Sequence, residues 1–294
     1  MKLMKKFFIT CIVVLHLIPT HIMSVERTVK LRIMPKLYWF VFYKEKVLLQ
    51  MNSDGTYSVP FSIRPPVEIK RQTHILHVTP TEDGTEVRGF SIDTPINNKI
   101  FGYAMCDLRA SYYKLPKELY LKAGKCRELI YWDHNTHYCG VCGTPMEMCS
   151  EISKYCPNCG KEVWPQLATA VIVLVHKGDE VLLVHAKNFK SDFYGLIAGF
   201  VETGETLEEA VHREIREETG ITVTNLKYFG SQPWPYPCGL MVGFNADYVC
   251  GDIQIQQSEL SKGAWFHKDN LPTIPEKLSI ARMILDNWLD TFNH

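Results

Sequence analysis

The chain has no surplus of either charge: 32 Lys and Arg stand against 32 Asp and Glu among 294 residues. That balance argues against strong electrostatic binding of nucleic acid, which needs a basic face. No internal repeat, heptad run or low-complexity tract is visible, which leaves ordinary globular domains. The apolar N-terminal run, FFITCIVVLHLIP at 7–19, is too short for a comfortable transmembrane helix. It follows a basic MKLMKK, as a secretory signal would, but His16 and Pro19 interrupt it and no A-x-A-like cleavage site is clear. Residues 1–22 read as an over-extended translation start ahead of Met23-Ser24-Val25-Glu26, or else as a weak signal or anchor. What is present, 46% hydrophobic and 22% charged residues, describes a soluble globular protein with room for two domains and a small insert.

The most informative stretch is GFVETGETLEEAVHREIREETGI at 199–221. Glu214, Glu217 and Glu218 fall at i, i+3 and i+4, within about 100° of one helix face. Leu207, Ala210, Val211 and Ile215 lie on or beside the same stripe, and Glu208, Glu209, His212 and Arg216 lie opposite. The spacing therefore turns three carboxylates toward the protein body. An unpaired buried anion costs several kcal/mol, and no basic residue falls within the stripe. Such an oxygen cluster calls for a hard divalent cation, Mg²⁺ or Mn²⁺. Thr206 with Glu209 forms a T-x-x-E capping box, and Gly220 is placed to stop the helix.

This loop–helix–loop resembles the Nudix box, G-x5-E-x7-R-E-U-x-E-E-x-G-U with U aliphatic. Every fixed position matches: Gly199, Glu205, Arg213, Glu214, Ile215, Glu217, Glu218, Gly220 and Ile221. The resemblance implies a hydrolase of nucleoside diphosphates linked to another moiety. Ten residues further on, Ser231-Gln232-Pro233-Trp234-Pro235-Tyr236-Pro237 carries three prolines, which forbid a regular central strand or helix interior and predict a stiff extended loop. By itself it reads equally as a rigid surface loop packing its own aromatics. After a Nudix box it resembles the SQPWPFP signature of the NADH pyrophosphatase branch, where the loop helps hold the dinucleotide. Tyr236 replaces the branch's Phe, and Gly239 replaces a Ser two residues after the last proline, removing a hydroxyl.

A third motif precedes both. Cys139-x2-Cys142-x13-Cys156-x2-Cys159 has the spacing of a tetrahedral Cys₄ zinc site, one structural Zn²⁺ per chain with no open position. Two disulfides or a redox C-x-x-C are the competing readings, and Cys149 is a possible ligand swap. The ribbon holds Glu147, Glu151 and Glu162 against Lys154 and Lys161, too little basic charge for a nucleic-acid-binding ribbon. The NADH pyrophosphatase branch carries such a ribbon immediately before its Nudix domain.

The domains expected are a β-rich N-terminal domain at 35–135, the ribbon at 136–165 and the Nudix domain at 166–294. Strand-like runs occupy 38–43 and 46–50, with a turn at Asp54-Gly55; similar runs fill 69–108, broken at Glu82-Asp83-Gly84 and Asn97-Asn98. An amphipathic helix is predicted over 117–133. Strands are predicted at 168–175, 180–185, 253–256 and 264–267, and a closing helix at 276–292. The resemblance makes the fold α+β: a Nudix α/β/α sandwich with a mixed sheet behind the β-rich domain and ribbon.

It implies the reaction NADH + H₂O → NMNH + AMP, with NAD⁺ also a substrate and removal of NAD caps from RNA as a variant. Glu214 and Glu218 would be the leading metal ligands, with Glu217, the carbonyl near Ala198 and the late acidic Glu259. From sequence alone Glu259 is a loop glutamate. Arg213 and Glu205 would brace the loop. Phe200, Trp234 and Trp164 are candidates to stack on a ring, core packing being the alternative for Trp164. Glu151, Ala281 and the loop 232–239, Gln232 through Cys238 and Gly239, align with substrate-contacting positions. A homodimer is implied, and no membrane partner is expected. The thiolate site and dinucleotide substrate favour a reducing cytoplasm. The rival readings are another Nudix specificity, such as ADP-ribose or a dinucleoside polyphosphate, and a non-catalytic nucleotide sensor or ribbon binder.

Overall fold

The structure is a computed structural model that describes residues 35–71, 73–96, 102–189 and 191–292. The expectations for residues 1–22 and for the break at Asn97-Asn98 lie outside these. No helix among the described residues is long and apolar enough to cross a membrane.

The N-terminal domain is a mixed sheet around β1 (Leu37–Tyr43). Its run of apolar residues is continuous because both faces are covered. Phe40 and Phe42 join one core cluster, with β2 (Lys46–Met51); Trp39 and Val41 join another, with Phe90 of β6 (Val87–Ser91). β1 pairs antiparallel with β2 and parallel with β6; β3 (Tyr57–Ser58), β4 (Phe61–Ser62), β5 (Leu76–Val78) and β7 (Tyr103–Asp107) complete the sheet. One turn, α1 (Leu108–Ser111), leads to α2 (Lys117–Asn135), which covers the Phe40 face.

The ribbon is a small antiparallel sheet of β8 (Glu147–Ser150), β9 (Ser153–Tyr155) and β10 (Glu162–Val163). Buried Lys154 ties it to α2: its ammonium reaches the Asp133 carboxylate at 2.6 Å and donates to the Asp133 carbonyl.

The C-terminal sheet runs β14 (Thr222–Trp234), β15 (Gly239–Cys250), β11 (Ala168–Lys177), β12 (Glu180–Ala186), β16 (Leu260–His267), with β13 (Ile197–Phe200) also on β11. Alternation along β11 builds both layers. Val171, Val173 and Val175 face α3 (Leu207–Thr219), whereas Ile172 and Leu174 face α4 (Ile280–Asp290). The α/β/α sandwich with a mixed sheet is therefore as expected.

Three local expectations are corrected. No strand forms at 253–256; that segment is hung on the end of α3, Gln254 N donating to Thr219 O and Gln256 N to Glu218 O, and the late strand starts at Leu260. The closing helix begins at Ile280, because Ser279 caps it. Ser231 to Trp234 are strand rather than loop: Pro233 is tolerated because β14 is the edge of the sheet, where a missing N–H need not break a ladder.

Candidate active site

Helix α3 is fixed at both ends by local chemistry. Thr206 Oγ1 accepts from Glu209 N at 3.1 Å while Thr206 N donates to the Glu209 carboxylate at 2.8 Å; Gly220 ends the helix at φ 73°. Fully buried Ala210, Val211 and Ile215 press it onto the sheet, carrying Glu214 and Glu218 inward to 8% and 4% exposure. Glu217 does not follow them. Its side chain is 52% exposed.

Nor is the stripe free of basic charge. Arg213 binds Glu205 with two nitrogens, donates to Glu214 at 2.8 Å and Glu217 at 3.1 Å, and caps the Phe200 carbonyl at 2.9 Å. The bracing of Glu205 by Arg213 is as expected; the reach to Glu214 and Glu217 is not. Glu218 has no such partner. Its Oε2 is buried and unbonded, and burial, then the charges of Glu214, Glu259 and Glu217, push its carboxyl up to about 8. Burial also raises Glu214, against the pull of Arg213.

Strand β13 connects the carboxylates to a cavity. A Cβ on Gly199 would lie 1.9 Å from the Glu214 carboxyl carbon, so only glycine lets that group sit on the strand. The next residue back, Ala198, lines a cavity of about 540 Å³ on the α4 face. Glu259 is exposed, yet the hung loop 252–259 holds it where its charge acts on both inward glutamates, and Lys187 N fixes its carbonyl at 2.8 Å. The orphaned oxygen of Glu218 and the surplus of carboxylates fit a hard cation. The carboxylate oxygens are not drawn together as a finished shell: among the described residues the four cysteines form the only group of three or more whose ligand atoms all lie within 4.8 Å.

Trp234 and Ala281 line the cavity with Ala198, and two aromatic residues that the sequence did not single out close it: Phe189 and Phe193, stacked at 4.3 Å. Arg109, from α1 of the N-terminal domain, also lines it, its guanidinium 5.0 Å from the Trp234 ring and 4.7 Å from that of Tyr236. The rest of the 231–239 stretch supports the wall. Both ends of the Gln232 amide hold the start of α4, accepting from Ile280 N at 2.7 Å and donating to Leu278 O at 2.8 Å. Tyr236 turns away to the N-terminal core, and Pro235 packs on Gly124. The Cys238 carbonyl accepts from Ala168 N. A Cβ on Gly239 would press on the Trp234 carbonyl at 3.1 Å, so the serine of the branch signature would crowd the loop here.

Phe200 and Trp164 are 65% and 53% exposed, and Glu151 sits on the ribbon 3.7 Å from His77; none of the three lines the cavity. In the ribbon, Cys139 and Cys159 sulfurs lie 3.6 Å apart and those of Cys142 and Cys156 3.5 Å. These are far beyond a disulfide bond of about 2.05 Å and near the roughly 3.8 Å that a tetrahedral shell of 2.3 Å Zn–S bonds requires. Cys149 stays exposed and outside the set. Protein purified without added metal should hold close to one zinc per chain; elemental analysis giving less than about half an equivalent, or disulfides in mapped peptides, would overturn that expectation.

A carboxylate helix docked beside a pocket on a mixed α/β/α sheet defines the class, and sequence comparison agrees. Residues 164–286 match the NUDIX domain, and residues 36–132 match the NADH pyrophosphatase-like rudimentary NUDIX domain. The chain belongs to the Nudix hydrolase family. Within it, the chain is 41% identical over 207 residues to the NAD-capped RNA hydrolase NudC of Pseudomonas aeruginosa, covering 70% of this chain and 74% of that one. Its counterpart in Deinococcus radiodurans is 40% identical over 195 residues, 65% of this chain and 70% of that one. A solved NUDIX hydrolase from Nitrosomonas europaea superposes on 53% of this chain and 92% of its own, with a TM-score of 0.47 and 20% identity.

Proposed function

We propose that the protein hydrolyses the pyrophosphate bond of NADH and NAD⁺ to AMP and NMNH or NMN, and removes NAD caps from RNA by the same cleavage. The observation that carries this is strand β13 with the inward glutamates against Gly199 on one face and, on the other, a cavity lined by Ala198 with room for a planar ring. The relatives named NAD-capped RNA hydrolase support the choice of substrate. The units that act together are 35–135, the ribbon 136–165 and the Nudix domain 166–294.

Glu214 and Glu218, with Glu217, Glu259 and the Ala198 carbonyl, would hold Mg²⁺ or Mn²⁺. Held there, such a cation would supply neutralisation of phosphate charge and a lowered pKa for a water beside it. Water oxygen bonds to one phosphorus as the bridging P–O bond breaks, and the leaving phosphate keeps the electron pair. Phe189, Phe193 and Trp234 clamp a ring of the dinucleotide, and Arg109 offers a positive charge at the same wall. Arg213 holds the loop from Gly199 to Glu205 against the helix. The ribbon cysteines hold Zn²⁺ as a structural ion.

Glu151, Trp164 and Phe200 face outward, and their substrate contacts are proposed across a homodimer; sedimentation at working concentration tests the oligomeric state. A zinc-thiolate site and a dinucleotide substrate support a cytoplasmic setting.

A panel of NADH, NAD⁺, ADP-ribose, diadenosine tetraphosphate and NAD-capped RNA with Mg²⁺ or Mn²⁺ tests the specificity, and a preference for ADP-ribose would replace this reading with another Nudix one. Trp234→Ala should raise KM for NADH about 5- to 100-fold and change kcat less, since a stacked ring contributes about 1–3 kcal/mol. Loss of kcat with KM intact would place the loop in the transition-state machinery instead.

A further inference from the structure

The N-terminal domain meets the cavity through tyrosine hydroxyls. Tyr112 OH donates to Lys277 O at 3.4 Å, Tyr113 OH to the Glu276 carboxylate at 3.2 Å, and Tyr120 OH pairs with Tyr236 OH at 3.1 Å. Lys277 and Glu276 precede α4, Glu276 lines the cavity, and Leu278 is buried in the N-terminal core cluster.

We propose that Tyr120 is a positioning residue for ring binding: its hydroxyl pins Tyr236, and Tyr236 in turn sets the Trp234–Arg109 stack on the cavity wall. The inference rests on that cavity being the substrate site.

Three observations lead to it. First, Tyr120 is 5% exposed, and its ring is held edge-on by Tyr112 at 5.3 Å, so the hydroxyl has a fixed address. Second, the recognition stretch touches α2 on two successive turns. Tyr236 meets Tyr120, and Pro235 lies so close over Gly124 that a Cβ there would come within 3.2 Å of its Cγ. Residues i and i+4 share one helix face, so α2 offers a flat seat that only a small residue at 124 permits. Third, Trp234 and Tyr236 stand edge to face at 5.2 Å with Arg109 over both rings. Proline fixes its own φ and restricts the residue before it. With Pro235 between them, Tyr236 cannot shift without moving Trp234.

The pairing depends on the hydroxyl at position 236. Position 236 is tyrosine where the branch signature has phenylalanine, and the added hydroxyl is the one that meets Tyr120. Burial pushes both phenols above the ordinary tyrosine range, so each hydroxyl keeps its proton and the pair persists at working pH.

The test is a double-mutant cycle of Tyr120→Phe and Tyr236→Phe, which keep the rings and remove only the hydroxyls. With NADH and Mg²⁺, each single variant should raise KM about 2- to 10-fold, the worth of one neutral hydrogen bond. Each should leave kcat within about a factor of two, and the double variant should do no more than either single. A second readout does not depend on turnover. With 5-fluorotryptophan incorporated at all six tryptophans, the Trp234 resonance is assigned by Trp234→Phe and should shift in Tyr120→Phe while the other five stay in place. Unchanged KM in both singles, singles that add, or an unmoved Trp234 resonance would overturn the proposal. A parent protein that cleaves no NADH would defeat the functional reading instead, and the resonance alone would then decide the positioning role.

Discussion

Glu218→Gln should lose roughly 100-fold or more in kcat while the protein stays folded. The substitution keeps the shape of the side chain and removes the ionisable carboxyl whose Oε2 is buried and without a partner, beside Glu214 and Glu259. Arg216→Ala, on the exposed side of the same helix, should change little. The same carboxylate gives a stability signature in metal-free protein. A carboxyl whose folded value is raised favours the fold below its ordinary value of 4.5, and that contribution is lost as pH rises through about 8. Metal-stripped Glu218→Gln should therefore melt above the parent at pH near 8, and the gap should close toward pH near 4.5. Parental kcat at saturating Mg²⁺ would remove Glu218 from the machinery.

Gly199→Ala should separate activity from stability still more sharply. The added Cβ would fall 1.9 Å from the Glu214 carboxyl carbon and 2.0 Å from Oε1, atoms at the free end of a flexible side chain. The fold can yield there at small cost by swinging the carboxylate aside. Catalysis cannot, because a displacement of about 1 Å in a catalytic group costs about 100-fold. The expected result is a melting temperature within a few degrees of the parent and kcat down about 100-fold. A variant that melts far lower, or one with parental kcat, would show that Gly199 serves something other than the seat of Glu214.

Local periodicity and capping explain why α3 was legible in the sequence. The stripe through Leu207, Val211, Ile215 and Glu218, Thr206 as cap and Gly220 as stop all act within a few residues. Spacing alone does not tell Glu217 from the inward pair: its side chain is 52% exposed and pairs with Arg213, four residues before it, at 3.1 Å. The ribbon was legible for a different reason: four thiols at knuckle spacing leave few arrangements. Arg109 gave no signal, since a basic residue on a four-residue turn becomes part of the cavity only through the docking of two domains. The proline-rich stretch was read as a loop because the edge position of β14, which admits Pro233, is a property of the whole sheet. Likewise Tyr236 aligns with a substrate-contacting position, and nothing in the sequence signals its partner Tyr120, 116 residues away.

Product analysis after incubating the protein with NADH and Mg²⁺ tests the central claim most directly. Equal amounts of AMP and NMNH, both formed roughly 100-fold or more slowly by Glu218→Gln, are the predicted result; ADP-ribose and free dihydronicotinamide, or no cleavage by the parent under conditions where it hydrolyses another nucleoside diphosphate derivative, would contradict it.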